Sequence, residues 1–180
     1  MMKITGGAFK RTTISSVSDE RTRYTPSIVR EALFNIVDIE SKQMLELFGG
    51  SGIISAEAIS RSVKDVTIVE ISRASCMTIR KNLEKLGQNF KILNLDFRIA
   101  IRRLTEKDKK FDFIFADPPF GNGLVFETFR ELDSHEEILE EDGIIVIESF
   151  EKELPPENGK KLSLKVRKNY GDVILNIYTR

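Results

Sequence analysis

The sequence has 180 residues, 41% of them apolar and 31% charged, with 28 basic side chains balancing 28 acidic ones. That is the size and mix of one globular domain with a buried core, and it excludes a disordered chain. Apolar runs such as Ile144-Ile145-Val146-Ile147 are far too short to span a bilayer, and the single cysteine, Cys76, excludes an intrachain disulfide or a cysteine-built metal site.

The first residues, Met1-Met2-Lys3-Ile4-Thr5-Gly6-Gly7, contain no apolar signal core, so a cytoplasmic protein with no bound metal is expected. Charge is unevenly distributed. Residues 1–30 carry a balance of +4, residues 159–180 carry +5, and the middle carries −9. Clustered basic ends are compatible with phosphate contacts. At the tail, ordinary solvated lysines are the preferred explanation.

A single domain over 1–180 is expected, opening with a polar arm at 1–24. A leading helix over 25–40 follows, with Thr25 as N-cap, Pro26 at the first helical position and Val29, Ala32, Leu33, Ile36 and Val37 on one face. Strand patterns then fall at 44–48, 66–71, 91–95, 111–116 and 144–148. Helical stretches near 53–62, 72–87, 97–106 and 124–139 lie between them. In the second of these, Cys76, Ile79, Leu83 and Leu86 share a face, and Gly87 stands where a C-cap glycine belongs. Short apolar strands alternating with helices predict a parallel sheet covered on both faces, an α/β fold. The last two strand patterns, 162–169 and 173–179, are joined only by Tyr170-Gly171-Asp172, which permits an antiparallel hairpin and excludes a parallel crossover.

Chemistry concentrates where strands end. Leu47-Phe48-Gly49-Gly50-Ser51-Gly52 runs from a strand through glycines into a helix, a place where a ligand can approach the backbone. Glu70 closes the next strand, 21 residues after Gly49, where an acidic side chain accepts from both hydroxyls of a ribose. Asp96 repeats the pattern after the third strand, either accepting from an adenine amine or capping the following helix. The loop lacks the third glycine of a dinucleotide-binding turn, since Ile54 and Ser55 follow, and it has no basic residue for a phosphate. S-adenosylmethionine, with a sulfonium and an ammonium, suits Glu46 better than NAD does.

Asp117-Pro118-Pro119-Phe120 decides the matter. An exocyclic base amine is a poor nucleophile because its lone pair is delocalised into the ring. The Asp117 carboxylate and Pro118 carbonyl can each accept one N–H, aiming the lone pair and opposing the developing positive charge. Phe120 offers a face for base stacking.

These motifs resemble the class I methyltransferases in which such a tetrapeptide marks amino-group methylation. The whole chain is similar to the bacterial 16S ribosomal RNA guanine-N2 methyltransferases. The most specific pieces are Arg23-Tyr24-Thr25, Val29-Arg30-Glu31-Ala32-Leu33-Phe34-Asn35, the glycine loop, Glu57-Ala58-Ile59-Ser60-Arg61 and Asp117-Pro118-Pro119-Phe120. The resemblance implies a Rossmann-like sheet of seven strands in order 3-2-1-4-5-7-6, with the last strand antiparallel. It implies S-adenosylmethionine held by Glu46, Phe48, Gly49, Gly50, Gly52, Glu70, Ile71, Asp96 and Phe97. It implies a target base at Asp117, Pro118, Pro119 and Phe120, and RNA contacts from Lys10, Arg11, Arg23, Thr25 and Arg30. The implied partner is 16S rRNA within a small ribosomal subunit, engaged by a monomer. Tyr24 and Ser27 depart from the family's usual proline and acidic residue, and Lys10-Arg11-Thr12 blurs its Gly-Arg element. A DNA adenine-N6 methyltransferase would share the chemistry, but the spacings leave no room for a duplex-reading module. An NAD-dependent oxidoreductase or an idle nucleotide-binding module fits the glycine loop but not the Asp-Pro-Pro-Phe motif. His135, the one histidine, is expected on a solvated helix, and Cys76 in the core.

Overall fold

The computed structural model describes residues 1–17 and 24–180. A short hairpin, β1 (Met2–Lys3) and β2 (Thr13–Ile14), precedes helix α1 (Ser27–Ile36). The alternating part follows as β3 (Gln43–Leu47), α2 (Ile53–Ser60), β4 (Asp65–Val69), α3 (Arg73–Leu83), β5 (Phe90–Leu93), α4 (Phe97–Thr105), β6 (Phe111–Ala116), α5 (Leu124–Ser134) and β7 (Leu139–Ser149). The chain closes with β8 (Ser163–Tyr170) and β9 (Val173–Thr179).

The main sheet has the order β5-β4-β3-β6-β7-β9-β8, which is 3-2-1-4-5-7-6 when its own strands are counted. Its first five strands pair in parallel, and β9 runs antiparallel to both β7 and β8. Alternation along each strand sends side chains to opposite faces. Met44, Phe113, Phe115 and Val146 join α1, α2 and α3 in one core, while Leu45, Leu47, Ile114, Ile145 and Ile147 pack on α4 and α5. Both faces are thus covered, as short apolar strands require. Leu47, Val69, Ala116 and Ile147 lie level in register, so β3, β4, β6 and β7 end along one carboxyl edge. The loops at that edge make the site.

The N-terminal arm is a structural element, which corrects the expectation of a polar arm. Ile4 and Ile14 are buried in the core beneath α1 and α2, hidden in the sequence by their polar neighbours. The hairpin is fastened by Glu57, which is fully buried on α2. Its carboxylate accepts from the Thr5 backbone N–H and hydroxyl, each at 2.9 Å, from Arg30 Nε at 3.1 Å, and from Arg61. Ser60 adds a second clasp, accepting from the Phe9 N–H at 2.8 Å and donating to the Gly6 carbonyl.

Several boundaries differ for local reasons. Helix α1 starts at Ser27 with Pro26 in the N-cap position, because the Thr25 hydroxyl turns inward to Glu148 instead of capping. It ends at Ile36, short of residue 40. Helix α3 is capped by Ser72 at its start and ends at Leu83, and Gly87, the expected C-cap, closes at φ 63° the 3-10 turn that follows. Helix α5 stops at Ser134, and a 3-10 turn at Glu136–Ile138 leads into β7 five residues early, with a bulge absorbing 140–143. His135 is half-buried at that helix end, its Nδ1 donating to the Glu131 carbonyl at 2.9 Å, so it is not a solvated helix residue. Cys76 is likewise half-buried instead of core. Among the described residues no helix is long and apolar enough to cross a membrane.

Glu57→Gln leaves the buried Arg30 guanidinium without its charge partner, and such a loss costs about 3–5 kcal/mol. Urea unfolding should show that loss, and a change below about 1 kcal/mol would mean that the carboxylate does not hold the hairpin.

Candidate active site

The glycine loop is shaped by backbone strain and by close approach. Phe48 takes a left-handed φ of 64°, an outlier for a bulky residue, and Gly52 takes 76° as the N-cap of α2. A Cβ at Gly49 would run into the Ile68 and Ile79 side chains, so the loop lies directly on β4 and α3. The Gly52 N–H reaches the Gly49 carbonyl at 2.7 Å, which closes the turn. Asn82, fully buried on α3, donates to the Ser51 and Ser15 carbonyls, each at 2.9 Å, and so ties this loop to the N-terminal segment.

Carboxylates dominate the edge. Glu46, the fourth residue of β3, is buried and accepts from the Ser55 N–H at 3.1 Å and from the Ser55 hydroxyl. Burial pushes its pKa up to about 8 against the opposing pull of those two bonds. Glu70 accepts from the Gly50 N–H at 2.9 Å and the Ser72 N–H at 2.7 Å, one bond per oxygen, which fixes the carboxylate at the strand end. Each oxygen keeps a lone pair for a further donor. Asp117 sits just past β6. Burial first, then the charges of Glu148 and Glu46, hold its carboxyl well above the usual range. The loop beyond is braced by the Phe120 ring against Phe150, edge to face at 3.8 Å, and by the Gly121 N–H donating to Glu153 at 2.6 Å.

A cleft of about 1020 Å³ joins these groups. Glu46, Phe48, Gly49, Gly50, Glu70 and Ile71 line one part of it, and Asp117, Pro118, Pro119 and Phe120 line another. Val17, Tyr24 and Thr25 complete the wall, with the Tyr24 hydroxyl accepting from the Val17 N–H at 2.7 Å and donating to its carbonyl at 3.2 Å. Tyr24 is thereby tied to Val17 by two hydrogen bonds.

Not every expected residue is in the cleft. Asp96 caps α4, accepting from the Arg98 N–H at 2.9 Å and pairing with the Arg98 side chain. Neither Asp96 nor Phe97 is part of the lining, and Phe97 packs instead against Phe48 at 4.9 Å. Gly52 shapes the helix start behind the lining. Arg30 is 4% exposed, with its guanidinium donating to Glu57, to the Thr25 carbonyl at 2.6 Å and to the Lys3 carbonyl at 2.9 Å. It is a core ion pair, which corrects its expected RNA contact, because its donors are turned inward by Glu57. Thr25 is also buried and bonds inward. Lys10 and Arg11 are exposed on the hairpin turn, and Arg23 lies outside the described residues. Sequence reasoning missed Ser55, Asn82 and Glu148. Only Glu148 carried a usable signal, as an acid ending an apolar strand in the manner of Glu70.

Sheet order, strained glycine loop and carboxylate-rich cleft together define the class, a Rossmann-like S-adenosylmethionine-dependent methyltransferase. Over residues 2–179 the chain matches the family described as Conserved hypothetical protein 95, and it belongs to that family. It is 33% identical to Ribosomal RNA small subunit methyltransferase D of Escherichia coli (strain K12), covering 99% of this chain and 90% of that one. The protein of the same name from Buchnera aphidicola subsp. Acyrthosiphon pisum is 31% identical, over 93% of this chain and 83% of its own. The solved structure of Escherichia coli yhhF superposes with a TM-score of 0.84 at 31% identity, over 99% of this chain and 97% of that one.

The raised Glu46 pKa has a thermodynamic consequence. Between the unfolded value of 4.5 and about 8 the folded protein holds a proton that the unfolded chain releases. Its contribution is therefore full below pH 4.5 and is lost as pH rises through about 8. Unfolding free energy of the ligand-free protein should fall by on the order of a few kcal/mol across that window, and Glu46→Gln should flatten the fall. An identical pH profile in the variant would show that Glu46 is ionised throughout.

Proposed function

We propose that this enzyme methylates the N2 amine of a guanine in 16S ribosomal RNA, within the small ribosomal subunit. The observation that carries the reading is the convergence of Asp117 and Pro118 with Glu46 and Glu70 on one cleft. The name of its relatives, ribosomal RNA small subunit methyltransferase, supports the substrate class.

S-adenosylmethionine supplies an electrophilic methyl group on a positively charged sulfur. The chain's own groups then divide the work. The free lone pairs of Glu70 accept from a ribose diol, and Ile71 and Phe48 give an apolar wall for the adenine. Glu46 faces the ammonium end, and a cation arriving there favours its ionised form. The Ser51 hydroxyl, buried in the cleft wall with no hydrogen-bond partner among the described residues, suits a polar ligand group. Asp117 and the Pro118 carbonyl accept the two hydrogens of the target amine, while Phe120 stacks on the base. Positioning and electrostatics supply most of the acceleration. The exposure of Lys10 and Arg11 on the hairpin turn supports their contact with RNA phosphates.

Incubating the purified protein with labelled S-adenosylmethionine and small ribosomal subunits, followed by nucleoside analysis, should yield N2-methylguanosine. Label in N6-methyladenosine, or none in either subunits or naked 16S rRNA, would overturn the reading. Glu70→Ala strands two hydroxyls and should weaken S-adenosylhomocysteine binding by about 2–4 kcal/mol, on the order of 30- to 1000-fold. An unchanged dissociation constant in calorimetry would remove Glu70 from the site.

A further inference from the structure

Glu148 takes no part in the mechanism above, yet it is 3% exposed and is the last residue but one of the strand next to the catalytic loop. Ile147 lies opposite Ala116 in the β6–β7 register, so the following residues, Glu148 and Asp117, emerge side by side. Neighbouring strands are about 4.8 Å apart, which brings two carboxylates into one another's field. Glu148 is held there by the Thr25 hydroxyl, which donates to its Oε2 at 2.9 Å within the protein interior. Thr25 in turn is fixed by Arg30, whose Nη1 donates to the Thr25 carbonyl at 2.6 Å.

We propose that Glu148, anchored by Thr25, is a positioning residue that makes Asp117 the proton acceptor in methyl transfer. The inference rests on the guanine-amine reading. As the amine lone pair forms the new N–C bond, the methyl carbon–sulfur bond breaks and its electron pair stays on sulfur. The nitrogen then bears the positive charge that sulfur has lost. One N–H proton passes to the Asp117 carboxylate, leaving a neutral methylamino group and a carboxylic acid that returns its proton to solvent when the product leaves. A carboxylate in water is too weak a base to hold that proton. One beside a second buried carboxylate is stronger, because two like charges at that distance resist simultaneous ionisation.

The surroundings fit this role. Among the described residues, the groups facing the pair are Glu46 from β3 and the Thr25 hydroxyl from the segment before α1, with Arg30 behind Thr25, while the Tyr24 hydroxyl is turned to Val17. Leu175 lies opposite Glu148 on β9 and does not titrate. Arg30 is matched by Glu57, and Glu46 is engaged with Ser55. Burial, Glu148 and Glu46, in that order, raise the Asp117 carboxyl.

The test is single-turnover methyl transfer to small ribosomal subunits from pH 5.5 to 9 with saturating S-adenosylmethionine. In the wild type the rate should rise with pH as Asp117 ionises. Glu148→Gln should move the midpoint of that rise down by about one pH unit or more, with the S-adenosylhomocysteine dissociation constant unchanged. Thr25→Val, which withdraws the hydrogen bond favouring ionised Glu148, should move it the same way, and Thr25→Ser should restore the wild-type midpoint. A misfolded Glu148→Gln protein leaves the Thr25 pair to decide. Midpoints that stay put in an active wild type and both variants overturn the role of Glu148 alone. A wild type that transfers no methyl to a guanine amine overturns the parent reading instead.

Discussion

Three carboxylates held on one face at the carboxyl edge of adjoining strands impose the main physical constraint on this molecule. Glu46, Asp117 and Glu148 come from β3, the end of β6 and β7, and alternation along those strands aims all three to the α1–α3 side. Crowding acids away from water raises their pKa values, as Glu46 and Asp117 show. Such an arrangement is unfavourable for an empty protein and favourable for one that receives a cation and then has to collect a proton. In the proposed reaction a sulfonium, an ammonium and the amine nitrogen before it loses its proton would be the cations at this place. The strained loop at Phe48 and the close-packed Gly49 serve the same edge by leaving room for a ligand against the backbone.

The N-terminal segment belongs to that edge. Glu57 gathers Thr5, Arg30 and Arg61, Arg30 holds Thr25, and Thr25 holds Glu148 beside Asp117. Asn82 makes a second tie from Ser15 to the glycine loop through Ser51. These chains of bonds run from the hairpin to both halves of the cleft. Removing the hairpin would take Ile4 and Ile14 from the core and loosen both ties, so truncation cannot separate RNA contact from the integrity of the site.

Much of this was legible in the sequence. The strand and helix alternation gave the sheet, and the three-residue joint at Tyr170-Gly171-Asp172 gave the antiparallel end, because period and loop length leave little choice. Glu70, the glycine loop and Asp117 announce themselves by standing at strand ends. The remainder depended on tertiary partners. Arg30 reads as a surface cation until Glu57, 27 positions on, is seen to meet it. Thr25 reads as a helix cap until Glu148, 123 positions away, claims its hydroxyl. Asp96 carries the same signal as Glu70, and only the fold shows its oxygens turned to Arg98. Two isoleucines in a polar stretch give no periodic signal, so the docked hairpin was hidden.

The central claim is that Asp117 acts on the amine during transfer and not on the methyl donor at rest. Interactions confined to the transition state lower kcat when removed and leave ground-state binding nearly untouched. The direct measurement is single-turnover methyl transfer by Asp117→Ala on small ribosomal subunits, with S-adenosylhomocysteine affinity determined in parallel. The expected result is turnover reduced by roughly 10²–10³-fold at nearly normal affinity, the scale of one lost electrostatic contact. Wild-type turnover in the variant would contradict the account, and lost S-adenosylhomocysteine binding would move Asp117 from the amine to the donor pocket.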